Sequence, residues 1–75
     1  MTIKNLKPGQ KALVLSIGEK GYMRRRIMDM GVTPGTSIKV VKVAPLGDPI
    51  EINIRGYELS LRKDEADQIQ VELIS

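Results

Sequence analysis

The sequence predicts a small, mainly β domain: a five-stranded, partly closed barrel with one inserted α-helix and one short helical turn. The chain has 75 residues, which is enough for one domain with one modest core. Its apolar residues fall into five short segments separated by turns, and one further segment repeats with a helical period. Partial closure removes exposed strand edges; an open α+β sheet is the alternative fold.

Two Pro-Gly turns precede the first two predicted strands. Residues 7–10 and 33–36 place Pro and Gly where a type II turn requires them. The strands that follow are Lys11–Ile17 and the β-branched segment Ser37–Val43. Apolar side chains occupy both faces of the first strand, so we expect both faces to be covered. Leu13, Leu15 and Ile17 are predicted on one face, and Ala12 and Val14 on the other.

An amphipathic helix is predicted between these two strands. Met23, Ile27 and Met30 recur at intervals of four and three residues, which places them in one apolar stripe. Gly31 follows the stripe and suits the left-handed position at which many helices end. The helix is therefore inserted into the sheet topology rather than appended to it.

The last three strands follow a loop over residues 45–49, whose two prolines and one glycine cannot continue a ladder. Isoleucines then alternate with polar residues over 50–54, which predicts a strand with one solvent-exposed face. Gly56 and Tyr57 are predicted to form the two-residue turn of a hairpin. The rest comprises a strand containing Leu59 and Leu61, a helical turn over Lys63–Asp67, and a strand containing Ile69, Val71 and Leu73.

The composition excludes several classes of function. The chain contains no cysteine and no histidine, so it has no disulfide, thiol nucleophile, zinc-finger spacing or imidazole base. Its serines have no histidine to activate them, and no segment has the spacing of a phosphate-binding loop. We predict that the protein is not an enzyme and uses no cofactor.

Charge and hydropathy predict a soluble, cytoplasmic protein. The formal net charge is +3, but twelve basic residues are interspersed with nine acidic ones, so we expect no dedicated nucleic-acid binding. No apolar run approaches the roughly 20 residues of a membrane span, and the first residues lack the apolar region of a signal peptide. We therefore expect no direct insertion into a membrane.

The predicted helix carries the first candidate site. Arg24, Arg25 and Arg26 fan across its surface away from the apolar stripe, where they could contact phosphates, acidic loops or a membrane surface. The alternative is a solvated helix face in which Asp29 pairs with Arg25 or Arg26.

Two apolar residues form the second candidate. Met28 lies beside Arg24 on the helical wheel and off the core stripe, and Leu46 lies on a loop stiffened by two prolines. Alternatively, the loop folds back over the barrel or covers Met28. The candidate partner-binding residues are Arg24, Arg25, Met28, Pro45, Leu46 and Asp48.

Clustered carboxylates raise the question of a metal site. Asp64, Glu65 and Asp67 offer oxygen ligands for a divalent cation. Their position at a predicted helical turn favours a structural role, because early carboxylates complement the unpaired amides at a helix start. We predict no metal site.

Three blocks of the sequence closely resemble the FeoA family. They are RRIMDMGVTPG over residues 25–35, APLGDPI over 44–50 and RGYELSLR over 55–62, with Glu65, Ala66 and Ile69 following at family-like spacing. Many turn-forming positions occur in one order, and the blocks cover most of the chain. The match is weakest at the extreme termini and in the loop over residues 17–22.

The resemblance implies one SH3-like domain over residues 1–75 that works in the bacterial cytoplasm beside FeoB, a membrane ferrous-iron transporter with a GTPase domain. The protein would bind and modulate FeoB and carry no iron itself. Related domains of diphtheria-toxin-repressor-like regulators make protein contacts, and some contribute metal ligands, but the absence of histidine argues against the metal role here. One alternative is an RNA-binding module, in which only Tyr22 and Tyr57 could stack on bases. Another is a module that associates weakly with itself.

Overall fold

The computed structural model describes residues 1–74 and contains one antiparallel sheet of five strands in the order β4-β3-β2-β1-β5. The strands are β1 (Lys11–Ile17), β2 (Ser37–Val43), β3 (Ile50–Ile54), β4 (Tyr57–Leu61) and β5 (Ile69–Leu73). A 3-10 turn (Ile3–Asn5) precedes β1, helix α1 (Tyr22–Asp29) joins β1 to β2, and helix α2 (Lys63–Asp67) joins β4 to β5. The last strand returns beside the first while β4 stays at the other edge, so the predicted partly closed barrel is confirmed.

An aliphatic core lies on the inner face of the curled sheet. Ile52 and Ile54 are fully buried from β3, Val40 from β2, and Ile27 from α1. Burying an aliphatic side chain of this size contributes about 1.5 to 3 kcal/mol. The alternation over residues 50–54 is thus a correct indicator of which face of the hairpin meets the core.

Strand β1 is covered on one face, so the prediction of cover on both faces is wrong. Ala12 and Val14 are buried, whereas Leu15 is 49% exposed. A β-bulge between Val14 and Ser16 adds one residue to the strand and brings Ile17 onto the buried face. The sequence pattern placed Ile17 on the same face as Leu13 and Leu15, because strict alternation of side chains assumes a strand without a bulge.

The hairpin turn lies one residue earlier than predicted. Tyr57 pairs with Ile54 and is the first residue of β4, so the two turn residues are Arg55 and Gly56. Their φ angles are +50° and +84°, the left-handed values that a type I′ hairpin turn requires at both positions. Arginine is uncommon in that conformation, which explains why the sequence pattern pointed to the wrong pair.

Helix α1 ends as the sequence predicts. Gly31 has a φ of +96°, and its amide donates to the Met28 carbonyl at 2.9 Å. The Val32 amide donates to the Ile27 carbonyl at 3.3 Å, so the two bonds together form a Schellman motif. No helix in the described part of the chain is long and apolar enough to cross a bilayer.

Candidate partner-binding site

A shallow groove of about 410 Å³ lies along α1. It brings together three of the predicted contact residues, Arg24, Arg25 and Met28. Lys20, Gly21 and Asp29 complete the lining. Lys20 and Gly21 were not predicted as site residues, because the loop that holds them carries no distinctive motif. We call this feature the α1 groove.

The α1 groove is positively charged. Lys20, Arg24 and Arg25 face one acidic lining residue, Asp29, which gives a formal charge of +2. Within residues 1–74, ion pairs form between Arg26 and Glu65 and between Lys4 and Asp67, so none of the three groove cations is paired. The pairing of Asp29 with Arg25 or Arg26, which was the alternative interpretation, is therefore not found in this part of the chain.

The start of α1 adds to this positive character. The N-cap residue is Gly21, which has no side chain to accept a hydrogen bond from the first turn, and no acidic residue lies in that turn. The free amides at a helix start carry a partial positive charge. Backbone and side chains in the groove thus present the same sign of potential.

Arg26 has a structural role. Its Nε lies 3.3 Å from Glu65 Oε2, and the Glu65 side chain is only 5% exposed. The other carboxylate oxygen, Oε1, accepts a hydrogen bond from the Arg62 amide at 2.8 Å and caps α2. Oε2 has no well-aligned hydrogen bond, so its contact with Arg26 is an ion pair alone. The third arginine therefore fixes α1 against α2 and leaves Arg24 and Arg25 as the available pair.

Met28 lies between the core and the surface. It is half-buried and packs against the core cluster, yet it also lines the α1 groove. Leu46 does not cover it, because the Leu46 side chain is 91% exposed. The alternative that the loop folds back over the barrel is thus wrong for its apolar tip.

The Leu46 loop, residues 44–49, is ordered by its own hydrogen bonds. The Gly47 amide donates to the Ala44 carbonyl at 2.7 Å, and the Ala44 amide donates to the Pro49 carbonyl at 3.0 Å. Asp48 Oδ1 accepts from the Lys63 amide at 3.1 Å, which fastens the loop to the start of α2. Pro45 is exposed beside Leu46, and the Asp48–Pro49 peptide bond is cis. Asp48 thus holds the loop, while Leu46 and Pro45 form its exposed tip.

Two of the three carboxylates of α2 have separate partners. Glu65 contacts Arg62 and Arg26, and Asp67 Oδ1 lies 3.8 Å from Lys4 Nζ. Within residues 1–74, no three His, Cys, Asp or Glu side chains are grouped so that they could hold a metal ion.

One carboxylate pair on the solvent-exposed face of the hairpin was not anticipated. The Glu58 carboxyl shares a hydrogen bond with Glu51, and this bond, with the repulsion between the two charges, raises the pKa of Glu58. The residues lie diagonally across β3 and β4, since Glu51 pairs with Ser60 and Glu58 with Asn53. The correct hairpin register is needed to see this proximity.

A family model for the FeoA domain matches residues 1–73. The chain belongs to the FeoA family. A fusion of Fe(2+) transport protein A with the Fe(2+) transporter FeoB from Porphyromonas gingivalis is 41% identical over the whole chain, which spans 9% of that much longer protein. The family is thus associated with Fe(2+) transport.

Solved structures of FeoA proteins share the fold. An FeoA-like protein from Clostridium acetobutylicum is 43% identical with a TM-score of 0.94, and the match covers 100% of this chain and 87% of that one. Zinc-bound FeoA from Stenotrophomonas maltophilia is 25% identical with a TM-score of 0.83, covering 96% of this chain and 89% of that one. That relative is described as a prokaryotic SH3 domain protein, and the SH3-like architecture applies to this chain as well.

Proposed function

We propose that this FeoA-family protein is a cytoplasmic accessory module of ferrous-iron uptake that binds FeoB and modulates it through protein–protein contacts. The observation that carries the proposal is the Porphyromonas gingivalis fusion, in which a domain similar to the whole of this chain is joined to FeoB. Covalent linkage raises the effective concentration of one binding partner near the other. A separate FeoA-family chain has to achieve the same proximity by binding.

The Leu46 loop supplies an apolar contact. Its tip is 91% exposed, and the loop is already ordered by internal hydrogen bonds and by Asp48. A pre-ordered loop loses little conformational entropy on binding. The free energy gained by burying the Leu46 side chain therefore contributes almost fully to affinity. An apolar anchor of this kind suits a pocket on the partner.

The α1 groove supplies a charged contact. Arg24 and Arg25 are unpaired within the described residues, and Met28 contributes a flexible apolar surface between them and the core. Cationic groups at the rim of an interface increase the association rate and orient the partners, and their effect decreases with salt. The partner surface is therefore expected to be acidic where it meets α1.

Modulation requires that the protein distinguish between states of FeoB. A binding protein shifts an equilibrium only as far as its affinities for the two states differ. We propose that this protein prefers one nucleotide state or one assembly state of FeoB and increases its population.

Titration of the protein into the complete cytoplasmic portion of FeoB tests the proposal. Affinity is measured without nucleotide, with GDP and with a non-hydrolysable GTP analogue, each at low and at physiological salt. A saturable complex whose affinity differs between nucleotide states supports binding and modulation. Equal affinity in all states supports an adaptor without a regulatory effect, and the absence of binding in every state contradicts the proposal.

A further inference from the structure

The two edges of the sheet differ in what covers them. At the edge formed by β5, the Val71 amide donates to the Met1 carbonyl at 2.9 Å, and Thr2 forms an isolated bridge with Gln70. At the other edge, β4 pairs with β3 alone, and within residues 1–74 no backbone bond joins it to another element. Strand β4 also contains no proline and no bulge, two devices that protect an edge from pairing. The edge of β4 is therefore open to a further strand.

The hairpin register determines which backbone groups of β4 face outward. Ile54 and Tyr57 flank the two-residue turn as a hydrogen-bonded pair, and such pairs alternate with non-hydrogen-bonded pairs along an antiparallel ladder. Leu59 is therefore bonded to β3 like Tyr57, whereas Glu58 and Ser60 turn their amides and carbonyls to the free edge. Both of these residues are exposed, and their outward groups have no protein partner within residues 1–74.

This edge is complementary to itself. When two β4 strands lie antiparallel with Leu59 of each copy on a twofold axis, Glu58 of one copy is opposite Ser60 of the other. The outward amides and carbonyls of these residues then meet as hydrogen-bonded pairs. Leu59, which is half-buried and packs against the core, meets Leu59 of the second copy on the inner face.

The neighbouring registers are less favourable. A shift of two residues in one direction places Glu58 opposite Glu58 of the second copy, and like charges in opposed positions are destabilising. A shift of two residues in the other direction places Glu58 opposite Arg62. The Arg62 amide already donates to Glu65, and the Arg62 carbonyl already accepts from Ala66, so neither is free to pair. The register centred on Leu59 is therefore the one that the edge selects.

Charge complementarity supports the same register. Sheet twist has a fixed hand, so side chains approach each other along the same diagonal in neighbouring strand pairs on one face. On the outer face, this diagonal brings Glu51 of β3 to Glu58 of β4. Continued into a second copy, the same diagonal brings Glu58 to Arg62, which follows β4 in extended conformation with an exposed side chain. The twofold axis repeats this contact between opposite charges.

We propose that the protein forms a weak symmetric dimer in which the β4 strands of two copies pair antiparallel through Glu58 and Ser60. In strand addition, main-chain hydrogen bonds supply affinity and side-chain contacts supply specificity. The interface is small, with one half-buried leucine from each copy, so we expect association only at high protein concentration. The dimer uses none of the residues proposed to contact FeoB, so it does not depend on that proposal.

Sedimentation equilibrium of the full chain, over a range of protein concentrations, tests the charge contacts. The variants Glu58→Arg and Arg62→Glu each bring like charges together in their own dimers. Each is expected to raise the dimer dissociation constant about tenfold or more. A mixture of the two variants restores opposite charges in the mixed dimer, so it is expected to dimerise about as tightly as wild type. The control Glu72→Arg reverses one charge on β5 and is expected to leave the dissociation constant unchanged.

The variant Ser60→Pro tests the backbone pairing separately. Proline is tolerated on an edge strand where the amide points outward, so urea unfolding is expected to show a folded protein. Ser60→Pro is expected to abolish dimerisation, whereas Ser60→Ala keeps the amide and should dimerise like wild type. A wild type that is monomeric at about 1 mM overturns the proposal. A mixture of Glu58→Arg and Arg62→Glu that dimerises no better than either variant alone also overturns it.

Discussion

Arg26 of α1 reaches Glu65 of α2, with 3.3 Å between Nε and Oε2, and this ion pair joins α1 to α2. Glu65 is almost fully buried and caps α2 with its other oxygen. The neighbouring Arg24 and Arg25 have no such partner within residues 1–74. A run of three arginines thus divides into one structural residue and two that are available for binding.

Glu65→Ala is expected to destabilise the protein by about 2 kcal/mol, because it removes both the cap of α2 and the partner of Arg26. Glu65→Gln keeps an acceptor for the Arg62 amide and is expected to cost less. Urea unfolding measures the stability of both Glu65 variants. Adding Arg26→Ala and the double variant Glu65→Ala/Arg26→Ala gives the coupling energy of the ion pair. Equal stability of wild type and Glu65→Ala would show that the pair and the cap contribute nothing.

Gly31→Ala is expected to cost more stability than Gly35→Ala. Both glycines have a φ above +90°, but a Cβ at Gly31 would overlap Tyr57 Oη, whereas nothing lies within 4 Å of a Cβ at Gly35. The backbone penalty is thus common to both variants, and we expect the overlap to add about 1 kcal/mol or more. Thermal or urea unfolding measures the difference.

The variant Tyr57→Phe tests whether the Tyr57 hydroxyl causes the extra loss of stability in Gly31→Ala. Tyr57 donates to the Met30 carbonyl at 2.7 Å, so the single variant is expected to cost about 1 kcal/mol. In the Tyr57→Phe background, the penalty of Gly31→Ala is expected to fall towards that of Gly35→Ala, because the overlapping oxygen is gone. An unchanged penalty would contradict the proposed contact between Gly31 and Tyr57.

Glu58→Gln is expected to stabilise the protein at neutral pH. A carboxyl whose pKa is raised on folding binds its proton more tightly in the folded state, so its contribution to stability is lost as the pH increases through the raised pKa. The variant removes that loss, and its advantage should vanish below about pH 4, where the wild-type carboxyl is protonated. Urea unfolding of wild type and Glu58→Gln, from neutral pH down to below about pH 4, measures this advantage. Glu72→Gln is a charge-matched control on another strand.

Arg24→Gln/Arg25→Gln is expected to weaken binding to the cytoplasmic portion of FeoB by about tenfold and to reduce its salt dependence. Its control is the variant Lys11→Gln/Lys39→Gln, which carries the same change in net charge on neighbouring strands β1 and β2, outside the α1 groove. The Lys11→Gln/Lys39→Gln variant should leave FeoB binding largely intact. If both variants weaken FeoB binding equally, the contact is not specific to α1.

The sequence predicts this fold well where one local signal decides the structure. Gly31 ends α1 because only a left-handed residue completes the Schellman motif, and the isoleucines of β3 alternate because that strand has no bulge. Ile17 was assigned to the wrong face because the bulge in β1 depends on pairing with β5, which no local pattern reveals. Arg55 was missed as a turn residue because the register of the hairpin overrides its conformational preference.

The candidate site was predicted only in part, because local patterns do not reveal contacts between distant parts of the chain. Helical spacing was sufficient to place Arg24, Arg25 and Met28 on one surface. Spacing offered Asp29 as a partner for Arg25 or Arg26, whereas Arg26 pairs with Glu65, which the tertiary fold brings close.

The most direct test of the central claim is the affinity of Leu46→Ser for the cytoplasmic portion of FeoB, measured beside the wild type and Leu15→Ser. Both leucines are exposed, at 91% and 49%, so neither variant should change the free energy of unfolding by more than about 0.5 kcal/mol. We predict that Leu46→Ser weakens FeoB binding by about tenfold or more while Leu15→Ser does not. Wild-type affinity for FeoB in the Leu46→Ser variant would contradict the assignment of this loop as the apolar anchor of the FeoB contact.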